Sequence, residues 1–115
     1  MKEVKRKLLA QRADFWDKDD FVHSLRRLRQ SGGPKQKAAE KVSQIVGNIA
    51  LSADELFKLT NHGENRIANC VKYELPGGCR LVTVQNDGAI WFLFVGDHED
   101  TERWLESHKG LTMVA

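Results

Sequence analysis

Lys72, Glu74, Arg80 and His98 are the side chains of this 115-residue chain whose types and spacing could bind an anion and move a proton. Lys72 and Glu74 are one residue apart in the alternating run Cys70-Val71-Lys72-Tyr73-Glu74-Leu75, so on a strand they point to the same face. Pro76-Gly77-Gly78 is a turn signal, and Cys79-Arg80-Leu81-Val82 resumes the β pattern behind it. A three-residue turn sets Glu74 opposite Arg80 and Lys72 opposite Val82. Two cations and a carboxylate then share one side of the sheet. The same pattern also describes a cross-strand ion pair on a solvated face, worth about 0.2–1 kcal/mol. His98 follows Gly96-Asp97 at the carboxyl end of a further apolar run. Imidazole is the side chain that exchanges protons near neutral pH, although a histidine here also reads as a surface residue of a helix-capping loop.

Other chemistries find less support. His62 with Glu64, and His98 and Asp100 with His108, lack a recognised ligand spacing, so neither a metal nor another cofactor is expected. Gly32-Gly33 and Gly77-Gly78 read as turns, not as phosphate-cradling loops, and no Ser or Cys nucleophile has a paired base in the sequence. Cys70 and Cys79 lie about five residues apart along the expected hairpin, roughly 16 Å at ~3.3 Å per residue. A disulfide needs Cα atoms within about 7 Å, so both thiols should stay reduced.

The elements that must hold these residues fall into two kinds, divided near residue 68. Before it the apolar spacing is helical: Phe21, Leu25 and Leu28 follow the Asp19-Asp20 pair, expected to cap a helix. Ser31-Gly32-Gly33 breaks that helix, Pro34 opens the next, and Ala38, Val42, Ile45, Val46 and Ile49 form its stripe. Ser52-Ala53-Asp54-Glu55 has a capping-box pattern, expected to start a short turn that carries Leu56, Phe57 and Leu59 inward. After residue 68 come three strands, Asn69–Leu75, Cys79–Gln85 and Ala89–Gly96, with Asn86-Asp87-Gly88 as the second hairpin turn. Thr101, Trp104, Leu105 and His108 then share one face of a closing helix. The expected fold is α+β: a helical hairpin packed on an antiparallel sheet, with a C-terminal helix and one open sheet face.

Length and composition bound the rest. A 13.1 kDa chain is one domain's worth, here 1–115, with 1–16 read as a basic N-terminal extension. Apolar residues at 41% and charged residues at 30% are those of a soluble folded protein, and no apolar run is long enough for a membrane span. Basic Met1–Lys7 leads only into Leu8-Leu9-Ala10 before polar residues return, which is no signal peptide, so the cytoplasm is the expected compartment. The net charge of +2 hides an asymmetry. Residues 1–48 carry 12 Lys/Arg against 6 acids, and residues 49–115 carry 6 against 10. A basic half beside an acidic half suits a protein that meets a polyanion, and solvated helix faces give the same count.

The strings Lys72-Tyr73-Glu74-Leu75, Cys79-Arg80-Leu81-Val82, Val95-Gly96-Asp97-His98-Glu99-Asp100 and Arg103-Trp104, in this order behind a helical hairpin, resemble the RelE/ParE superfamily of small bacterial toxins. The likeness is strongest to its RelE-like messenger-RNA endonucleases and covers roughly residues 19–108. Arg80 matches the family's phosphate-contacting arginine and Lys72 one of its sheet lysines. Glu74 stands where the best-known members have a second lysine, His98 in place of a loop arginine, and Trp104 in place of a tyrosine. The family's first strand is not evident, since Met1–Trp16 reads as the basic extension.

The resemblance implies the toxin of a type II toxin–antitoxin pair, a metal-independent endoribonuclease that cuts messenger RNA on the ribosome and so stops translation. Its members use the substrate's 2′-OH as nucleophile. Arg80 and Lys72 would then hold the scissile phosphate, His98 and Glu74 would transfer protons, and Trp104 would stack on a base. Arg26, Lys35 and Lys37 on the basic helices would meet ribosomal RNA phosphates. A cognate antitoxin, the ribosome and messenger RNA are the implied partners, with no membrane. The alternative is a binding protein of the same fold, a ParE-like inhibitor of DNA gyrase.

Overall fold

Helical spacing and glycine at the joints build the first half of the computed structural model, which describes residues 13–15, 18–47, 49–86 and 89–111. Helix α1 (Lys18–Gln30) buries Phe21 and Leu28 and packs Leu25 against the same core. It begins at Lys18, so Asp19 and Asp20 lie within its first turn and do not cap it. At the joint Gly32 and Gly33 take φ of 71° and 56°, a conformation costly for any residue with a Cβ. Pro34 then opens α2 (Gly33–Gly47), whose buried stripe is Ala38, Ala39, Val42 and Ile45. The expected helical hairpin is present.

The next segment departs from expectation. Residues Ile49–Lys58 form a full helix, α3, with Ser52 inside it, so the capping-box string starts nothing. Leu56 is buried all the same, and Phe57 and Leu59 pack against the core it joins.

The sheet has five strands, β1 (Ala13–Phe15), β2 (Asn61–Glu64), β3 (Cys70–Leu75), β4 (Cys79–Asn86) and β5 (Ala89–Asp97), in the order β1-β5-β4-β3-β2. β3, β4 and β5 are the antiparallel strands read from the sequence. Glu74 pairs with Arg80 and Lys72 with Val82, as a three-residue turn requires. The two edges were not foreseen. β1 runs parallel to β5, so the sheet is not wholly antiparallel and a strand precedes the helical hairpin after all. β2 pairs antiparallel with β3. The remainder of the expected basic extension, 1–12 and 16, and the Asp87-Gly88 turn lie outside the described residues.

Both faces of the sheet are covered, which corrects the expected open face. Phe21, Val42, Ile45 and Leu56 pack on Tyr73, Leu81, Ile90, Phe92 and Val95 on one side. On the other, Trp104 and Leu105 of α4 (His98–Ser107) pack on Ile67, Cys70, Val82, Val84, Leu93 and Phe94. The β4–β5 register slips between Val82 and Thr83, which lets consecutive Leu93 and Phe94 both enter the second core. That is how a run apolar on both faces is accommodated. Cys70 and Cys79 are free, lie in opposite cores, and pair with Val84 and Leu75 at the two ends of the hairpin. Beyond Phe92 β5 has no β1 neighbour among the described residues, and α1 serves its edge: Val95 N–H donates to Ser24 Oγ at 3.2 Å, while Ser24 Oγ donates to Phe21 O at 2.8 Å. Among the described residues no helix is long and apolar enough to cross a membrane.

Candidate active site at the turn end of the sheet

Strand alternation and register bring His62, Glu74 and Arg80 into one row across β2, β3 and β4. Glu74 pairs with Arg80 on one side, and on the other His62 lies one step diagonal to it, its Nε2 2.9 Å from Glu74 Oε2. The hydrogen bond from His62, aided by the nearby charge of Arg80, holds the Glu74 carboxyl below its usual range. Arg80 donates to its own neighbour's carbonyl, Cys79 O, at 3.2 Å and makes no carboxylate contact within 4 Å among the described residues. Arg80 also pairs with Gly96 of β5, two residues before His98. His98 is exposed at the first position of α4. The row therefore offers a carboxylate, an imidazole and a guanidinium at one end of the sheet, and the chain reaches His98 two residues after the Gly96 that pairs with Arg80. His62 was missed as a partner because β2, Asn-His-Gly-Glu, is polar throughout and carries no alternation that would mark it as a strand.

Lys72 belongs to a different network, and its expected role on phosphate gives way for a physical reason. Its Nζ lies 3.1 Å from Glu64 and 3.5 Å from Glu102, with the side chain 18% exposed. Arg66 joins the same carboxylates, 2.8 Å from Glu64 and 3.0 Å from Glu102, and reaches Glu106 at 3.6 Å. Hydrogen bonding to Arg66 and then Lys72 pulls the Glu64 carboxyl down to about 2 despite its burial. The network ties α4 to β2 and β3 across the second core. Burial beside it, with the Glu64 charge, pushes the Cys70 thiol up to about 12, which makes it a poor nucleophile. A cation held by two carboxylates has little field left for a phosphate.

Trp104 likewise leaves the RNA-contacting set. It is 8% exposed; one ring face stacks on Phe94 at 5.4 Å, the other on His108 at 4.0 Å, and Nε1 donates to Asp20 at 3.2 Å. No face remains for a base. Arg26 on α1 and Lys37 on α2 are exposed, whereas Lys35 lies 3.3 Å from Asp97 Oδ2. Asp97 is the N-cap of α4, its Oδ1 accepting the Asp100 N–H at 2.8 Å. That bond, with Lys35, holds its carboxyl below the usual range. No group of three or more His, Cys, Asp or Glu side chains among the described residues is arranged to hold a metal ion.

Comparison with protein-family models, with curated proteins and with solved structures finds no match to this chain.

Proposed function

We propose that the chain is an endoribonuclease toxin of the kind its sequence resembles, cutting ribosome-bound messenger RNA in the cytoplasm and silenced by a cognate antitoxin. The observation that carries this reading is the Glu74 carboxylate, hydrogen-bonded to His62 at 2.9 Å and paired across the ladder with Arg80. A carboxylate kept ionised is ready to take the 2′-OH proton. The 2′-oxygen then attacks the adjacent phosphorus, and the P–O5′ bond breaks to leave a 2′,3′-cyclic phosphate. His98 donates a proton to the departing 5′-oxygen. Arg80 faces the charge that builds on the phosphorane, where a preorganised cation contributes about 10²–10³ in rate. The strand ahead of the helical hairpin also supports the reading, because its apparent lack was a departure from the family pattern.

A specific observation favours the alternative of a gyrase-binding protein: Lys72 and Trp104, two of the matched positions, are occupied within the fold. Primer extension on messages in a translating extract, beside a gyrase supercoiling assay, separates the two. Codon-phased breaks at unchanged supercoiling are expected; lost supercoiling without breaks would refute the nuclease.

A further inference from the structure

We propose that Lys35 is a positioning residue, which fixes His98 relative to Arg80 through the cap of α4 and does not contact RNA. The proposal rests on reading the turn end as the cleavage site. The two oxygens of the Asp97 carboxylate face different elements: Oδ2 meets Lys35 Nζ of α2 at 3.3 Å, and Oδ1 accepts the Asp100 N–H of α4 at 2.8 Å. One carboxylate thus couples α2 to the first turn of α4, immediately before His98.

The residue before Lys35 touches the other half of the site. A Cβ on Gly77 would lie 2.7 Å from Pro34 Cβ, so the β3–β4 turn is pressed directly against the start of α2. That turn joins the ends of the two strands that carry Glu74 and Arg80. Two consecutive residues of α2 therefore brace the site from two directions, Pro34 through the turn behind Glu74 and Arg80, and Lys35 through the cap before His98. In-line displacement needs the general acid and the phosphate anchor held to within about 0.5 Å, which a loop end alone does not supply. Lys35 and Asp97 are 43% and 32% exposed, so the pair adds little to global stability and its loss should leave the chain folded. An ammonium turned onto a carboxylate is also a poor phosphate anchor, in contrast to Lys37, which has no carboxylate within 4 Å among the described residues.

The test is single-turnover cleavage by Lys35→Met, Lys35→Arg, Asp97→Asn and the Lys35→Met/Asp97→Asn double variant. Asn caps a helix as well as Asp does, so Asp97→Asn removes the charge bridge and keeps the cap. Lys35→Met and Asp97→Asn should each lower the maximal rate about tenfold with half-saturation unchanged within about twofold, and the double variant should fall no further. Lys35→Arg should keep most of the rate. A raised half-saturation at unchanged maximal rate in Lys35→Met, with a salt slope reduced by about one and Asp97→Asn like wild type, would mark a phosphate contact and overturn the proposal. The free protein supplies a readout that needs no cleavage: the His98 ring and Asp100 amide resonances should move in Lys35→Met and stay in Lys37→Met. Unmoved resonances in Lys35→Met overturn the brace even if the chain cuts RNA. Moved resonances in a chain that cuts none keep the brace and refute only the catalytic reading.

Discussion

His62 and Glu64 are two residues apart on one face of β2, and they illustrate how neighbours on a strand diverge in role. His62 is exposed, and its bond keeps the Glu74 carboxyl ionised below the usual range. His62→Ala removes the largest cause of that lowering, so the Glu74 titration followed by carboxyl NMR should move up toward an ordinary glutamate. An unmoved midpoint would detach His62 from the site. Glu64 is 8% exposed and satisfied by Arg66 and Lys72. Its pKa falls from 4.5 to about 2 on folding, so its contribution is present above pH 4.5 and is lost as pH falls toward 2. Glu64→Gln should cost about 2 kcal/mol at neutral pH, as for a hydrogen bond to a charged group. Its urea-unfolding free energy should also be flatter than wild type through that acid window. Parallel pH curves for the two proteins would show that the network is not what sets acid stability.

At the scale of elements, amphipathic segments were legible and polar or very short ones were not. Phe21 with Leu28, and Ala38 with Val42 and Ile45, recur at helical spacing because each stripe meets one sheet face; the hairpin register followed from Pro76-Gly77-Gly78. β2 has no apolar residue to alternate, and β1 has three residues, Ala-Asp-Phe, too few to show a period. The same limit hid the second core. Val82, Val84, Leu93 and Trp104 read locally as an alternating strand pair and an amphipathic helix, but nothing in their spacing says that they meet. Alternation puts Lys72, Glu74 and Arg80 on one face, but no local signal shows that α4 covers that face. Ser24 was another silent residue, a polar side chain inside a helix whose Oγ closes the β5 edge. Ser24→Ala leaves the Val95 N–H without that acceptor and should cost about 1–2 kcal/mol in chemical denaturation, with faster hydrogen exchange at Val95. Unchanged exchange would show that the edge is closed by other means.

For the whole molecule, charge and geometry point the same way. α1 and α2 present Arg26, Arg27, Arg29 and Lys37 as exposed cations, while Asp100, Glu102 and Glu106 of α4 are met by Arg103, Arg66 and Lys72. In the function proposed above a polyanion meets the helical hairpin, while Glu74 and Arg80 lie at the turn end of the sheet on the face that α4 covers. The proposed function assigns recognition to the helical hairpin and chemistry to Glu74 and Arg80 acting together. The most direct test of that claim is the single-turnover rate at which Glu74→Gln and Arg80→Ala cut a defined message on stalled ribosomes, at saturating protein, with circular dichroism as the folding control. Each should lose about 10²–10³ in rate without losing ribosome affinity. Rates within threefold of wild type in both variants would contradict the account and remove the turn end of the sheet from the reaction.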